Sequence, residues 1–149
     1  MKTTLKKNAV RCLFAITLLL LTSNCTNTGS ANKKLIKDYY AAYEKKDWNM
    51  LQSLLAVGFT FSSPNDDHIK VDIYKQRCWP NAYNIKRFDV DKLMVEGDSA
   101  FVTYNGWTTS GKLFRNTEYF KFKDGKIQEN VCYFGPGISY PNNTKKQGE

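Results

Sequence analysis

Histidine is almost missing from this chain: His68 is the only one in 149 residues. One imidazole beside Asp67 and Asp72 falls short of a metal centre, which needs further matched ligands. No metal or cofactor is therefore expected. Cysteine is sparse as well, with four in all. Neither Cys78 nor Cys132 has a histidine at a useful local spacing, which removes support for a catalytic thiol, and sequence alone leaves their pairing open. The apolar run Cys12 to Leu21 is roughly half of the ~20 residues that span a bilayer, so it makes a poor permanent anchor. Lys2, Lys6, Lys7 and Arg11 precede that run and supply half of the net charge of +8. The other basic residues are scattered among acids, with no basic stripe interleaved with stacking aromatics, so nucleic acid is not an expected partner. There is no internal repeat and no low-complexity segment.

What is present begins with a leader. A basic segment, an apolar core and then small polar residues have the order of an export signal. Leu21-Thr22-Ser23-Asn24-Cys25 resembles a bacterial lipoprotein box in which Cys25 would carry the lipid. The expected organisation is a signal peptide over residues 1–24, a lipidated cysteine and polar tether over 25–31, one domain over 32–137 and a polar tail over 138–149. That places the chain in the bacterial cell envelope, held to a membrane by its lipid. The length allows a single domain with a real core, which an aromatic content of 14% is suited to fill.

The first half of the domain has helical spacing. Leu35, Ile36, Tyr39, Tyr40 and Tyr43 form the stripe of an amphipathic helix from Asn32, its cap, to Asp47. A second helix is predicted for Trp48 to Leu55, capped by Asp47 and ended by Gly58. A short strand follows at Phe59 to Ser62, stopped by Pro64, and a third helix at His68 to Trp79, closed by Pro80. The second half alternates as strand: Tyr83 to Val95 with a bulge between Arg87 and Phe88, a turn at Glu96-Gly97-Asp98, then Ser99 to Thr109. Helices first and an antiparallel sheet afterwards define an α+β domain.

The closing hairpin, Phe114 to Phe134, carries the most information. Asp124-Gly125 supplies the positive φ of a type I′ turn, which pairs the flanking runs antiparallel. A period of two then puts Asn116, Glu118, Phe120 and Phe122 on one face, with Ile127, Glu129, Val131 and Tyr133 on the partner strand. Carboxylates among large apolar side chains are the make-up of a small-molecule pocket. A two-residue turn sets Glu118 opposite Val131 and Glu129 opposite Phe120, so the carboxylates are diagonal neighbours.

FTFSSPNDDHIKVDIYKQRCWP and GKLFRNTEYFKFKDGKIQENVCYFG, in that order, resemble the SnoaL-like branch of the nuclear transport factor 2-like superfamily over residues 32 to 137. The resemblance implies a cone: a bent antiparallel sheet wrapped around the N-terminal helices, with an internal cavity. The superfamily includes ketosteroid isomerases, polyketide cyclases, dehydratases, epoxide hydrolases and members that only bind or dimerise. Fold alone therefore does not select a function. The resemblance also implies that Ser63, before Pro64, stands where ketosteroid isomerases hold their general base. A serine hydroxyl is too weak an acid for that proton transfer.

The candidate catalytic residues are His68 and Asp67, as an imidazole and carboxylate at the cavity mouth, and Glu118 and Glu129, as carboxyls whose pKa burial would raise. Against this stand helix capping for Asp66 or Asp67, and salt bridges to arginine for the glutamates. Tyr39, Arg77, Trp79, Asn116 and Tyr133 are candidate ligand contacts, with core packing as the alternative for the aromatics. Two readings remain open: a pocket for a small apolar or planar molecule, with acid/base turnover of isomerase, cyclase or dehydratase type, or a non-catalytic binding module that forms a homodimer.

Overall fold

The computed structural model describes residues 28–134. The expected leader, Cys25 and the C-terminal tail lie outside the described residues. Helix α1 covers residues 28–45, so part of the expected tether is already helical and Asn32 is not its cap. Asn32 is instead buried, and its Nδ2 donates to the Gly97 carbonyl 3.2 Å away, tying the helix to the turn between two strands. The apolar stripe faces inward as the spacing predicts: Ile36, Tyr39, Tyr40 and Ala42 are all buried. Helix α2, Trp48–Leu54, starts at the predicted cap, where the Asp47 carboxylate accepts from the Met50 N–H at 2.9 Å.

The strands are β1, Leu55–Ser63; β2, Asp66–Lys70; β3, Ile85–Glu96; β4, Ser99–Thr108; β5, Leu113–Lys123; and β6, Lys126–Tyr133. They form one curved, unclosed sheet in the order β2-β1-β6-β5-β4-β3. Neighbours run antiparallel except β1 and β6, which are parallel. That pairing inserts β6 between β1 and β5, and the aromatic face of α1 packs onto the concave side, with Tyr39 5.2 Å from Phe120 and Tyr40 5.2 Å from Tyr104 between ring centroids.

Four expectations are corrected. Gly58 does not end a helix but lies inside β1 at φ +81, where the register with β6 shifts, a backbone conformation that favours glycine. The predicted helix from His68 splits into β2, helix α3 at Val71–Arg77 and a 3-10 turn at Trp79–Asn84. Neither Asp66 nor Asp67 caps α3, whose N-cap position is Lys70 and has no side-chain hydrogen bond. The bulge expected after Arg87 falls at Lys86, so Arg87 stacks its guanidinium on Trp107 at 4.8 Å while Phe88 turns inward toward Tyr40 and Tyr104.

The Asp124-Gly125 turn is present with φ of +51 and +70, and Lys123 pairs with Lys126 as expected. Beyond the turn the register departs from a simple alternation. Phe122 pairs with Ile127 but Lys121 pairs with Glu129, so Gln128 is an extra residue in β6. One extra residue reverses every face after it. Asn130 and Cys132 therefore face the core, while Glu129 and Tyr133 do not, and Glu118 pairs with Cys132 rather than Val131. Opposite the hairpin, the ring of Phe114 lies across Gly106: a Cβ there would stand 2.1 Å from the ring tip, so only glycine leaves that ring its place in the cavity wall.

Candidate functional site

Between α1 and the concave face of the sheet lies a cavity of about 610 Å³. Its walls combine aromatic rings, Tyr39 and Tyr43 from α1, Phe61 from β1, Phe88 from β3, Tyr104 from β4 and Phe114 from β5, with polar side chains that include Asn65, Asn81, Asn84 and Thr108. Glu118 is set into this wall and is only 6% exposed. Its Oε1 accepts from the Tyr104 hydroxyl at 2.7 Å, and its Oε2 accepts from the Tyr40 hydroxyl at 3.1 Å and from Asn130 Nδ2 at 3.2 Å. Burial pushes the Glu118 carboxyl up from its ordinary value, and the donors from Tyr104, Asn130 and Tyr40 oppose that rise without cancelling it. The carboxyl in turn raises its tyrosine neighbours: Tyr40 and Tyr104 lie well above the usual phenol range, first through burial and then through the charge of Glu118.

A second row of hydroxyls continues from Asn130. Its Oδ1 accepts from Tyr39 at 3.3 Å, Tyr39 meets Tyr74 at 2.6 Å, and Tyr74 meets Tyr43 in a short contact. On the other flank, Asn116 Nδ2 donates to the Tyr104 hydroxyl at 3.1 Å and reaches the Cys132 sulfur at 3.5 Å. Cys132 is buried and free, and its thiol is pushed far up by burial and by Glu118. Buried polar groups in a low-dielectric wall hold only when paired, and this network satisfies nearly all of its members.

Toward the 3-10 turn the cavity is lined by a second carboxylate that the sequence reading assigned to capping. Asp66 is nearly buried, with its Oδ1 2.9 Å from Arg77 Nη2. Its Oδ2 is 3.5 Å from the Ser63 hydroxyl and 3.9 Å from the Cys78 sulfur. Cys78 is free as well, its thiol pushed up to about 12 by burial and by Asp66.

The sequence-based candidates divide. Glu118, Tyr39, Asn116 and Arg77 line the cavity. Trp79 is buried but belongs to the core, edge-on to Tyr43 at 5.0 Å and to Trp48 at 5.4 Å. His68 and Asp67 project outward. Between Ser63–Asp66 and Phe61–Ile69 the register gives β2 two residues against one in β1, and His68 takes φ +49 while its N–H donates to the Ser62 hydroxyl at 2.9 Å. That bulge turns both side chains to solvent, where His68 Nδ1 meets Asp67 at 2.6 Å and Nε2 lies 3.7 Å from Glu129. Glu129 thus joins His68 outside the cavity rather than Glu118 within it. Tyr133 is half-exposed and lines a different hollow of about 620 Å³ on the outer rim, with Thr103, Asn105 and Thr117. The inner cavity is the better site because the buried carboxyls converge there. Among the described residues, no three His, Cys, Asp or Glu side chains are placed to hold a metal ion.

Tyr40, Tyr74, Tyr104, Asn130 and Asp66 were missed as site residues. Asn130 carried a usable signal: asparagine is disfavoured in strands, and one amid an alternating apolar run asks for a buried partner.

Residues 36–130 match the SnoaL-like domain model, and the chain belongs to that family. The comparison with curated proteins gave no match. Among solved structures, an NTF2-like protein of unknown function from Cytophaga hutchinsonii is 20% identical, with a TM-score of 0.58 over 70% of this chain and 89% of that one. An M. tuberculosis LEH-like epoxide hydrolase is 12% identical, with a TM-score of 0.61 over 72% and 85%. A de novo designed protein with a curved β-sheet reaches 0.64 at 14% identity, over 72% and 87%. At such identities the likeness is one of fold, and a designed protein among the neighbours underlines that the cone carries no chemistry by itself.

Proposed function

We propose that this SnoaL-like domain is exported, anchored to a cell-envelope membrane through a lipid on Cys25, and binds a small, largely apolar molecule in its inner cavity. The observation that carries the pocket reading is the buried Glu118 carboxyl, set in an aromatic wall facing a hollow large enough for a ligand. The same cavity holds the ion-paired Asp66, so acid/base turnover of isomerase, cyclase or dehydratase type is the activity proposed. Glu118, held protonated to higher pH by burial, is the proton donor, and Asp66, beside Ser63, is the acceptor. His68, Asp67 and Glu129 take no part in this chemistry.

The direct test is mass spectrometry of small molecules that co-purify with the protein, followed by kinetics on the compound found. Glu118→Gln and Asp66→Asn are each expected to slow turnover at least ~100-fold, the usual lower bound for loss of a general acid or base. Turnover that survives both changes would remove the catalytic half of the proposal and leave a binding module. For the anchor, Cys25→Ser is expected to release the protein from the membrane fraction; unchanged retention would rule out lipid attachment there.

A homodimer through the outer sheet face is proposed as well. Met94, Phe101, Tyr119 and Val131 align across β3, β4, β5 and β6, and Met94 and Phe101 are 58% and 45% exposed. Sedimentation velocity of residues 28–134 is expected to show two copies, reverting to one in Phe101→Glu. A monomer at high concentration would end this part.

A further inference from the structure

The directions of the hydroxyl protons in the tyrosine row follow from one asparagine. Asn130 Nδ2 lies 3.3 Å from the backbone carbonyl of Tyr119 and 3.2 Å from Glu118 Oε2. A backbone carbonyl only accepts, so the amide cannot be turned over, and Oδ1 must be the atom facing Tyr39. An amide oxygen also only accepts, so the single proton of the Tyr39 hydroxyl points to Asn130. The 2.6 Å contact between Tyr39 and Tyr74 then needs its proton from Tyr74. With that proton committed, the short contact between Tyr74 and Tyr43 needs its proton from Tyr43. The reverse order would leave Oδ1 of the fully buried Asn130 without a donor, so this assignment is the one that satisfies every member of the row. The row runs Tyr43 to Tyr74 to Tyr39 to Asn130, every proton directed away from the cavity.

Tyr43 stands at the open end of this row and lines the cavity. Tyr40 and Tyr104 direct their protons away from it too, onto Glu118. We infer that Tyr43 is a specificity-determining residue that presents its oxygen lone pair, not its proton, so that the preferred ligand carries a hydroxyl or N–H group beside its apolar body. This deepens the pocket reading and rests on it. At Tyr43 the arrangement is the reverse of what stabilises a developing oxyanion, which needs a donor aimed into the site, and Glu118 remains the proton donor of the proposed turnover. A ligand bearing only a carbonyl or ether oxygen would set oxygen against oxygen at Tyr43, or break a buried hydrogen bond in order to receive one.

Calorimetric or fluorescence titration with 2-naphthol, 2-methoxynaphthalene and naphthalene tests this with bodies of similar shape. In the wild-type protein, 2-naphthol is expected to bind about tenfold tighter than 2-methoxynaphthalene, the worth of one hydrogen bond plus the avoided lone-pair conflict. In Tyr43→Phe that ratio is expected to fall to within about twofold of one, with naphthalene binding unchanged within the same range. Equal binding of the oxygenated pair to the wild type, preference for the ether, or a ratio that persists in a folded Tyr43→Phe would overturn the inference while leaving the pocket standing. Failure of all three compounds to bind would overturn the pocket reading and this inference with it. Should Tyr43→Phe not fold, the wild-type order of the three affinities decides alone.

Discussion

Asn130→Leu is expected to lower the unfolding free energy by about 3–5 kcal/mol, although leucine matches asparagine closely in size. The side chain it replaces is fully buried and holds three groups: Glu118 Oε2, the Tyr119 carbonyl and the Tyr39 hydroxyl. Each loses a partner while itself largely buried, at about 1–3 kcal/mol apiece. Leucine returns some apolar burial, which keeps the total below the simple sum. Urea denaturation followed by circular dichroism measures this, with Lys121→Ala on the exposed side of β5 as a control that stays within about 0.5 kcal/mol. A loss under 1 kcal/mol for Asn130→Leu would mean that the buried network does not hold the sheet to α1.

The second large effect concerns pH. Burial raises the Glu118 carboxyl above its ordinary value of 4.5, so across a window starting there the folded chain keeps a proton that the unfolded chain has released. The folded state then binds more protons than the unfolded one, and stability falls as pH rises. The contribution is whole below about pH 4.5 and disappears as pH climbs through the folded-state pKa, at ~1.4 kcal/mol for each unit separating the two. Glu118→Gln, which cannot titrate, is expected to abolish this decline. The buried hydroxyls of Tyr39, Tyr40, Tyr74 and Tyr104 are raised as well, so a second loss of the same sign awaits at alkaline pH in both proteins. Melting temperatures across pH 4 to 9 compare them. A wild-type midpoint that climbs with pH relative to Glu118→Gln would show the carboxylate to be stabilised by folding instead.

Much of the fold is legible in the sequence. The stripe on α1, the Asp47 cap, the Asp124-Gly125 turn and the alternation of β4 and β5 each follow from a local rule that tertiary structure obeys here. Half of the site was legible on the same terms: Glu118 and Asn116 share a face with Phe120 because β5 has no bulge before Lys121. What failed was the bookkeeping of faces across two bulges. Gln128 in β6 and the Asp67-His68 pair in β2 each add one residue, and a period of two converts one added residue into a reversal. Glu129 left the inner face by that route while Asn130 and Cys132 turned to it, and His68, expected to open a helix, stands on a strand bulge instead. Neither bulge is marked by glycine, so nothing in the local sequence announced it. The parallel pairing of β1 with β6 was equally silent, since it joins segments about seventy residues apart, such as Thr60 and Glu129.

The surroundings of Glu118 differ from those of Asp66 in the way the proposed acid/base turnover requires. Glu118 is bonded only to neutral donors and sits in an aromatic wall, whereas Asp66 is neutralised by Arg77 toward the 3-10 turn. Burial pushes the Glu118 carboxyl up, and the ion pair with Arg77 fixes the position of Asp66 in the same cavity. His68, although the only imidazole, lies outside on the bulge of β2 and faces water.

Carbon-13 NMR titration of the Glu118 side-chain carboxyl, with and without 2-naphthol, tests the central claim most directly. A buried carboxyl in the wall of an open cavity titrates above the ordinary 4.5 in the free protein, and its midpoint moves when the ligand fills the space beside it. A midpoint at the ordinary carboxylate value, indifferent to saturating 2-naphthol, would contradict it.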